Sequence, residues 1–260
     1  MIKDRIKTLK HIITGIGLDP LKIIIGINRF FPFLIEYIKF KKTNGKNKKI
    51  SMHPCLFDKN EAGGIASGHY FFQDLIVAQK IFLRNPVKHV DIGSRIDGFV
   101  AHVATFREIE VFDIRPIQNI INNIKFKEAD LQKDINEYKE YTDSISSLHA
   151  IEHFGLGRYG DNIDIDGHLK GLNNIYSMLK KDGIFYFSVP MGQCRIEFNA
   201  HRVFSLSYLF DYFKGKYEIL NFSYVDDKGD LHKDITLEKE NIGNNFNCNY
   251  GCAIFELKKI

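Results

Sequence analysis

The chain has 260 residues, 36 Lys+Arg, 32 Asp+Glu and a formal net charge of +4. Its hydrophobic content of 44% and charged content of 26% are those of an ordinary soluble domain, which excludes wholesale disorder and a polytopic membrane protein. So mild a charge does not point to nucleic acid as a partner, because a phosphate-tracking protein concentrates basic charge on one face. The cysteines are Cys55, Cys194, Cys248 and Cys252, with no C-x-x-C pair. That pattern speaks against a disulfide scaffold and against a metal site, and reduced thiols in a cytoplasmic protein are expected. The length fits one large domain, or one domain plus an extension.

Ile12 to Ile38 is strongly apolar but interrupted by Asp19, Pro20, Lys22, Arg29, Pro32 and Glu36. A spanning helix needs about 20 nearly uninterrupted apolar residues, so this segment does not cross a membrane. No small-residue cleavage site marks a signal peptide. Two short amphipathic helices broken at Pro20 and Pro32 fit the pattern. They would pack as a cap on the main domain or a partner subunit, or lie on a membrane surface through apolar faces flanked by Lys and Arg. Residues 39–49, KFKKTNGKNKK, read as a solvated basic linker, so residues 1–50 form an extension and residues 51–260 the main domain.

Beyond residue 70 short apolar runs alternate with helical periodicity. Phe71–Arg84 reads as a helix, Val87–Ile92 as a strand, Phe99–Phe106 as a helix and Ile109–Ile114 as a strand. A helix is expected from Pro116, with proline at the first helical position. Strands follow at Ile124–Ala129 and Ser144–His149, then a helix from Asp166 to Leu179. Lys180-Lys181-Asp182-Gly183 is a helix stop before a strand at Gly183–Val189. Tyr217–Tyr224 and Gly251–Leu257 are further strands with little helix between them, which predicts an antiparallel edge. The whole is an α/β fold, a mostly parallel sheet covered on both faces.

In such a sheet, ligands bind outside the carboxyl ends of the strands. The first strand ends in Asp91-Ile92-Gly93-Ser94-Arg95-Ile96-Asp97-Gly98, a turn bracketed by glycines. The second ends at Asp113, about 20 residues beyond the glycine turn, where a carboxylate can accept both hydroxyls of a ribose. Asp130 follows the third strand. Carboxylates at successive strand ends suit a nucleoside without phosphates, since a pyrophosphate prefers a bare glycine-rich turn.

DIGS, VFDI, EADL, SLHAIEHFGLGRYGD, LKKDGIFYFSVP and AHRVFS, in this order, resemble a class I S-adenosylmethionine-dependent methyltransferase over roughly residues 60–260. More narrowly, the chain is similar to a poorly characterised methyltransferase-like family whose members often occur in bacterial surface-polysaccharide gene clusters. GLDPLK…FFPFLIEYIKF is similar to the start of those proteins. The resemblance implies a Rossmann-like seven-stranded sheet with an antiparallel last strand, behind a short helical extension. It implies S-adenosylmethionine as cofactor. Asp91 and Gly93 would line its methionine part, Asp113 would bind the ribose hydroxyls, Asp130 with Leu131 would meet the adenine, Leu148 and His149 would lie beneath it, and Ser94 and Ile114 would also belong to the cofactor site. It implies methylation of a small-molecule sugar or sugar nucleotide, in a cytoplasmic protein that sits peripherally at the inner face of a membrane, or meets a second copy, through residues 1–40. One departure stands out. Arg95 and Asp97 occupy places where the usual turn has glycines, so either the turn is reshaped around Gly98 or cofactor binding is weakened.

His149-x-x-Glu152-His153 matches the inverted zinc-protease pattern. It follows a strand and precedes Phe154-Gly155-Leu156-Gly157, which breaks the helix that motif needs. Asn162-x-Asp164-x-Asp166-Gly167 mimics a calcium loop, but Lys170 and Asn173 stand where ligands belong. Asp166 is better read as a helix cap. The candidate general bases are His153 and His201. Glu152 is placed either on the His153 ring or on substrate hydroxyls. Tyr159, Arg195 and Arg202 are further substrate-pocket candidates, Arg202 for a carboxylate or phosphate. A catalytically silent scaffold that keeps the fold is the competing function. A sugar-nucleotide oxidoreductase is disfavoured because no G-x-G-x-x-G is present.

Overall fold

The computed structural model describes residues 14–15, 17–43, 49–60 and 63–260. The chain divides into two compact units, Met1–Ile65 and Ala66–Ile260, so the division falls beyond the expected boundary at residue 50.

The first unit is built on α1, Pro20–Thr43. Asp19 caps it, its carboxylate accepting the Lys22 N–H at 3.2 Å and its carbonyl the Ile23 N–H at 3.0 Å, with proline at the first helical position. The helix runs through Pro32, where the sequence predicts a break. Proline removes one backbone bond, and contacts along one side hold the helix across that gap. Phe30, Phe33 and Tyr37 pack ring to ring, Arg29 donates to the Leu56 and Phe57 carbonyls at 3.1 Å each, and Glu36 pairs with Lys59. The basic run read as a linker therefore begins as the last turn of α1, which holds Lys41 and Lys42. The expected helix before Pro20 lies almost wholly outside the described residues. No helix among the described residues is long and apolar enough to cross a membrane.

The second unit opens with α2, His69–Arg84, followed by β1, His89–Ile92. In place of the expected helix over 99–106 stand a π-turn at Ile96–Val100 and one α-turn, α3, Ala101–Ala104. Then come β2, Ile109–Asp113, and β3, Ile124–Glu128. No helix starts at Pro116, since residues 116–123 are turns and coil. That stretch carries Asn119, Asn122 and Asn123, whose side chains compete with helical bonding, and Asn123 takes a left-handed φ of 63°. β4, Thr142–Leu148, leads through a long loop to α4, Gly167–Met178, and β5, Leu179–Met191. Asp166 occupies the cap position of α4 without a side-chain cap bond. α4 ends at Met178 with Leu179 already extended, so Lys180–Gly183, read from the sequence as the helix stop, lie within β5, where Asp182 takes a left-handed φ of 61°. A hairpin of β6, Arg195–Glu197, and β7, His201–Val203, precedes α5, Leu206–Phe213. β8, Tyr217–Val225, β9, Leu231–His232, α6, Lys239–Gly243, and β10, Gly251–Lys259, complete the chain.

The main sheet has the order β3-β2-β1-β4-β5-β10-β8-β9. β3 through β5 are parallel, and β10 runs antiparallel between β5 and β8. The expected seven strands are present with a two-residue eighth, and the expected antiparallel edge is made by β10, β8 and β9. Period-2 alternation sends Phe185, Phe187 and Phe255 to one face with Leu172, Ile175, Leu209 and Phe213 of α4 and α5. Tyr186, Ile184 and Ile254 go to the other face, with Val77 and Ile81 of α2 and Val103 of α3.

Phe213 stands 5.2 Å from the Phe255 ring, 6.0 Å from Tyr217 and 6.2 Å from Phe187, with 2% exposure. Phe213→Ala should cost about 3–5 kcal/mol in urea denaturation, and a loss under about 1 kcal/mol would contradict this packing.

Candidate active site

The residues that follow β1, β2, β3 and β4 line a cavity of about 350 Å³ at the carboxyl edge of the sheet. The wall behind it is a buried polar network. Asp91, fully buried, accepts the Ser94 N–H at 3.0 Å, the Ser94 hydroxyl at 2.6 Å and the Ser146 hydroxyl at 2.6 Å. The Leu148 N–H donates to Ser94 Oγ at 3.0 Å, which ties the turn after β1 to the end of β4. Burial nonetheless dominates the Asp91 carboxyl and pushes it up to about 7.

The turn is reshaped, as one of the two expectations had it. Gly93 supplies the left-handed φ of 69°, while Arg95 sits in ordinary extended backbone at φ −69°, ψ 127°. Its guanidinium pairs with Asp97 at 2.8 Å and lies over the Tyr70 ring. Gly98 is required by close packing, because a Cβ there would stand 2.6 Å from Asp74 Oδ2.

Asp113 meets the cavity with a partner absent from the sequence reading. The Arg115 guanidinium donates to both its oxygens, at 3.0 and 2.6 Å, and the Arg115 N–H to Oδ1 at 2.8 Å. Arg115 also lies over Tyr159, 4.3 Å from the ring centre. Asp130 caps its own turn through the Gln132 N–H at 3.0 Å, and Leu131, 2% exposed, presents an apolar surface beside it.

After β4, His149 takes a left-handed φ of 50°. Its Nδ1 lies 2.7 Å from Glu152 Oε1, and both residues are buried. Burial opposes charge on each. His149 is nonetheless raised well above its ordinary value, by the Cys252 sulfur first and the Glu152 carboxylate second, and Glu152 is lowered by His149. Glu152, 1% exposed, thus holds His149, with His153 Nε2 farther off at 3.8 Å, and it does not reach the cavity surface. His153 does line the cavity. Its Nδ1 faces the Ala200 carbonyl at 2.7 Å, so Nδ1 carries the proton and Nε2 the lone pair. Burial lowers its pKa, which keeps the ring neutral.

The cavity therefore gathers Gly93, Asp113, Ile114, Asp130, Leu131, His149, His153 and Tyr159, while Asp91, Ser94 and Leu148 stand behind its wall. His201, Arg195 and Arg202 lie outside it. His201 packs on Tyr250 at 5.1 Å, and Arg195 is taken up by Glu197 and the Asn249 carbonyl. The buried Arg202 guanidinium donates to the Glu152, Phe154, Asp164 and Ile165 carbonyls, which makes it a clamp on the loop after β4. Tyr70, Arg115, Gln132 and Arg158 also line the cavity, and no spacing in the sequence pointed to them.

The second unit has the fold of class I methyltransferases. A 1,6-didemethyltoxoflavin-N1-methyltransferase from Burkholderia thailandensis, solved with S-adenosylhomocysteine, superposes with a TM-score of 0.51 at 13% identity over 72% of this chain and 78% of that one. The [4+2]-cyclase SpnF gives 0.51 at 13% over 72% and 80%. The N-methyltransferase NodS from Bradyrhizobium japonicum WM9 gives 0.50 at 12% over 75% and 99%. No curated protein matches the chain in sequence. Residues 97–260 match the family described as "Caenorhabditis protein of unknown function, DUF268", and the chain belongs to that family.

An unfolded aspartate ionises near ~3.9, whereas Asp91 in the fold does so near 7. Between those values the native state keeps a proton that the unfolded state has released, so this group's contribution to stability falls as pH rises. Asp91→Asn removes that dependence. The stability of the variant minus that of the parent, from urea denaturation, should climb between about pH 4 and 7 and then level off. A flat difference would contradict the buried carboxyl.

Proposed function

We propose that the protein is an S-adenosylmethionine-dependent methyltransferase acting on a hydroxyl or amine of a sugar or sugar nucleotide in surface-glycan biosynthesis. The observation that carries the cofactor reading is the cavity itself, where Gly93, Asp113 and Asp130–Leu131 face one volume from three successive strand ends. Its size is at the lower end of the range for small-molecule sites. Gly93 lets backbone approach the methionine part. Asp113 accepts the ribose hydroxyls through the lone pairs that Arg115 leaves open, and Leu131 offers an apolar face to the adenine. S-adenosylmethionine supplies an electrophilic methyl group. The chain's own part is to bind, to align the acceptor and to take its proton, for which His153 Nε2 is the suited base.

The sugar-nucleotide acceptor rests on the family resemblance, and Arg158, on the cavity wall, brings a guanidinium that suits a phosphate. The exposed Ile23, Ile24, Ile27, Phe31, Ile35 and Ile38 of α1, followed by Lys39, Lys41 and Lys42, support a peripheral contact of this segment with an anionic membrane face or a second copy. The competing reading, a silent scaffold, is favoured by Arg115 sitting on the carboxylate that should meet the ribose. SpnF, a cyclase, shares the fold, so fold alone does not decide.

Calorimetric titration with S-adenosylmethionine and S-adenosylhomocysteine separates the two. Binding is expected, and Asp113→Ala should weaken it at least tenfold through lost charge-assisted hydrogen bonds of about 1.5–3 kcal/mol. No heat at millimolar ligand, with the fold intact by circular dichroism, would favour the scaffold.

A further inference from the structure

Three side chains from distant parts of the sequence meet beside the cavity. His69 opens α2, His149 follows β4, and Cys252 is the second residue of β10. One ligand atom from each lies within 4.8 Å of the other two. The sulfur of Cys252 is fully buried, faces the His149 ring, and makes long contacts of 3.7 Å to Gln73 Oε1 and 3.8 Å to the Ala253 carbonyl. His149, 7% exposed, commits Nδ1 to Glu152, and its buried Nε2 has no hydrogen-bond partner. A buried polar nitrogen without a partner costs free energy, and its side chain stands among two other good donors. The His69 ring stacks on His149 at 5.2 Å.

We propose that His69, His149 and Cys252 form a zinc site. Two imidazoles and a thiolate are the borderline-soft donor set that selects zinc over magnesium or calcium. Tetrahedral zinc with bonds of about 2.0–2.3 Å holds its ligand atoms roughly 3.3–3.8 Å apart, so the three need converge by no more than about 1 to 1.5 Å. Glu152 fixes the tautomer of His149, the carboxylate–histidine arrangement that orients metal ligands. Binding releases two protons to solvent, one from the Cys252 thiol and one from His149 Nε2, and places zinc on the lone pair freed at that buried nitrogen. Three protein ligands leave one position for water or for an oxygen of a molecule in the cavity that His149 lines. The site does not depend on the methyl-transfer reading, because it takes the ion whether or not the cavity takes a cofactor.

The test uses the full chain, stripped with a chelator under reducing conditions and titrated with zinc alone and with cobalt alone. One equivalent of zinc per chain should bind in competition with a chromophoric chelator, and cobalt should give a thiolate-to-metal charge-transfer band. Cys252→Ser should abolish the band, and His69→Gln should weaken zinc binding by at least about tenfold. Cys194→Ser, which alters an exposed thiol elsewhere, should change neither. Circular dichroism checks that each variant is folded. His69→Gln, at a half-buried position, provides the reading if Cys252→Ser does not fold. No stoichiometric zinc on the folded parent, or zinc binding unchanged in folded His69→Gln, overturns the proposal. S-adenosylhomocysteine binding, measured separately with and without zinc, keeps failure of this site distinct from failure of the cofactor reading.

Discussion

The Ser94 hydroxyl has one proton, and it goes to Asp91, so the hydroxyl must accept the Leu148 N–H. The same logic runs along the whole buried seam. Ser146 gives its proton to Asp91 at 2.6 Å and so accepts from His89 Nε2 at 3.1 Å, which leaves His89 Nδ1 to accept from Ser144 at 2.8 Å. Burial holds His89 neutral, down to about 3, as this chain of single donors requires. The seam joins β1 to β4 by side chains as well as by their ladder. It fixes the turn that carries Gly93 and the point at which His149 leaves the sheet. Removing one member strands its neighbours in a dry interior at about 1–3 kcal/mol each, so the seam tolerates little change.

From that wall the cavity acquires its chemistry by position. Each strand end contributes one turn, and each turn contributes a group of a different kind: bare backbone at Gly93, a carboxylate at Asp113, an apolar surface at Leu131, and a neutral imidazole at His153. Arg115 holds the Asp113 carboxylate in one orientation, and it also competes with any hydroxyl for the same oxygens. Reshaping around Gly98 removes the need for a glycine at Arg95, since the backbone there is extended and the close approach falls on Asp74.

The layered α/β architecture was legible because its strands are short apolar runs with clear stops, and period-2 alternation is a local signal. Pro32 and Pro116 misled for opposite reasons. Contacts of Arg29 with Leu56 and of Glu36 with Lys59, and ring packing of Phe33 on Tyr37 within the helix, carry it across the first, whereas asparagines at 119, 122 and 123 prevent one after the second. At the site, the strand-end residues could be read off the sequence because strand ends are sequence positions. Arg115, Arg158 and the meeting of His69 with Cys252 could not, because loop return and strand insertion decide them. Arg202 shows the limit most clearly. A lone arginine beside a histidine invites an anionic ligand, yet four backbone carbonyls take its guanidinium.

The most direct measurement is a crystal structure of the full chain grown with saturating S-adenosylhomocysteine. The proposed cofactor site requires the ligand in the cavity, ribose hydroxyls within hydrogen-bonding distance of Asp113, adenine against Leu131 and the amino-acid part beside Gly93. An empty cavity, or the ligand bound elsewhere on the chain, would contradict it.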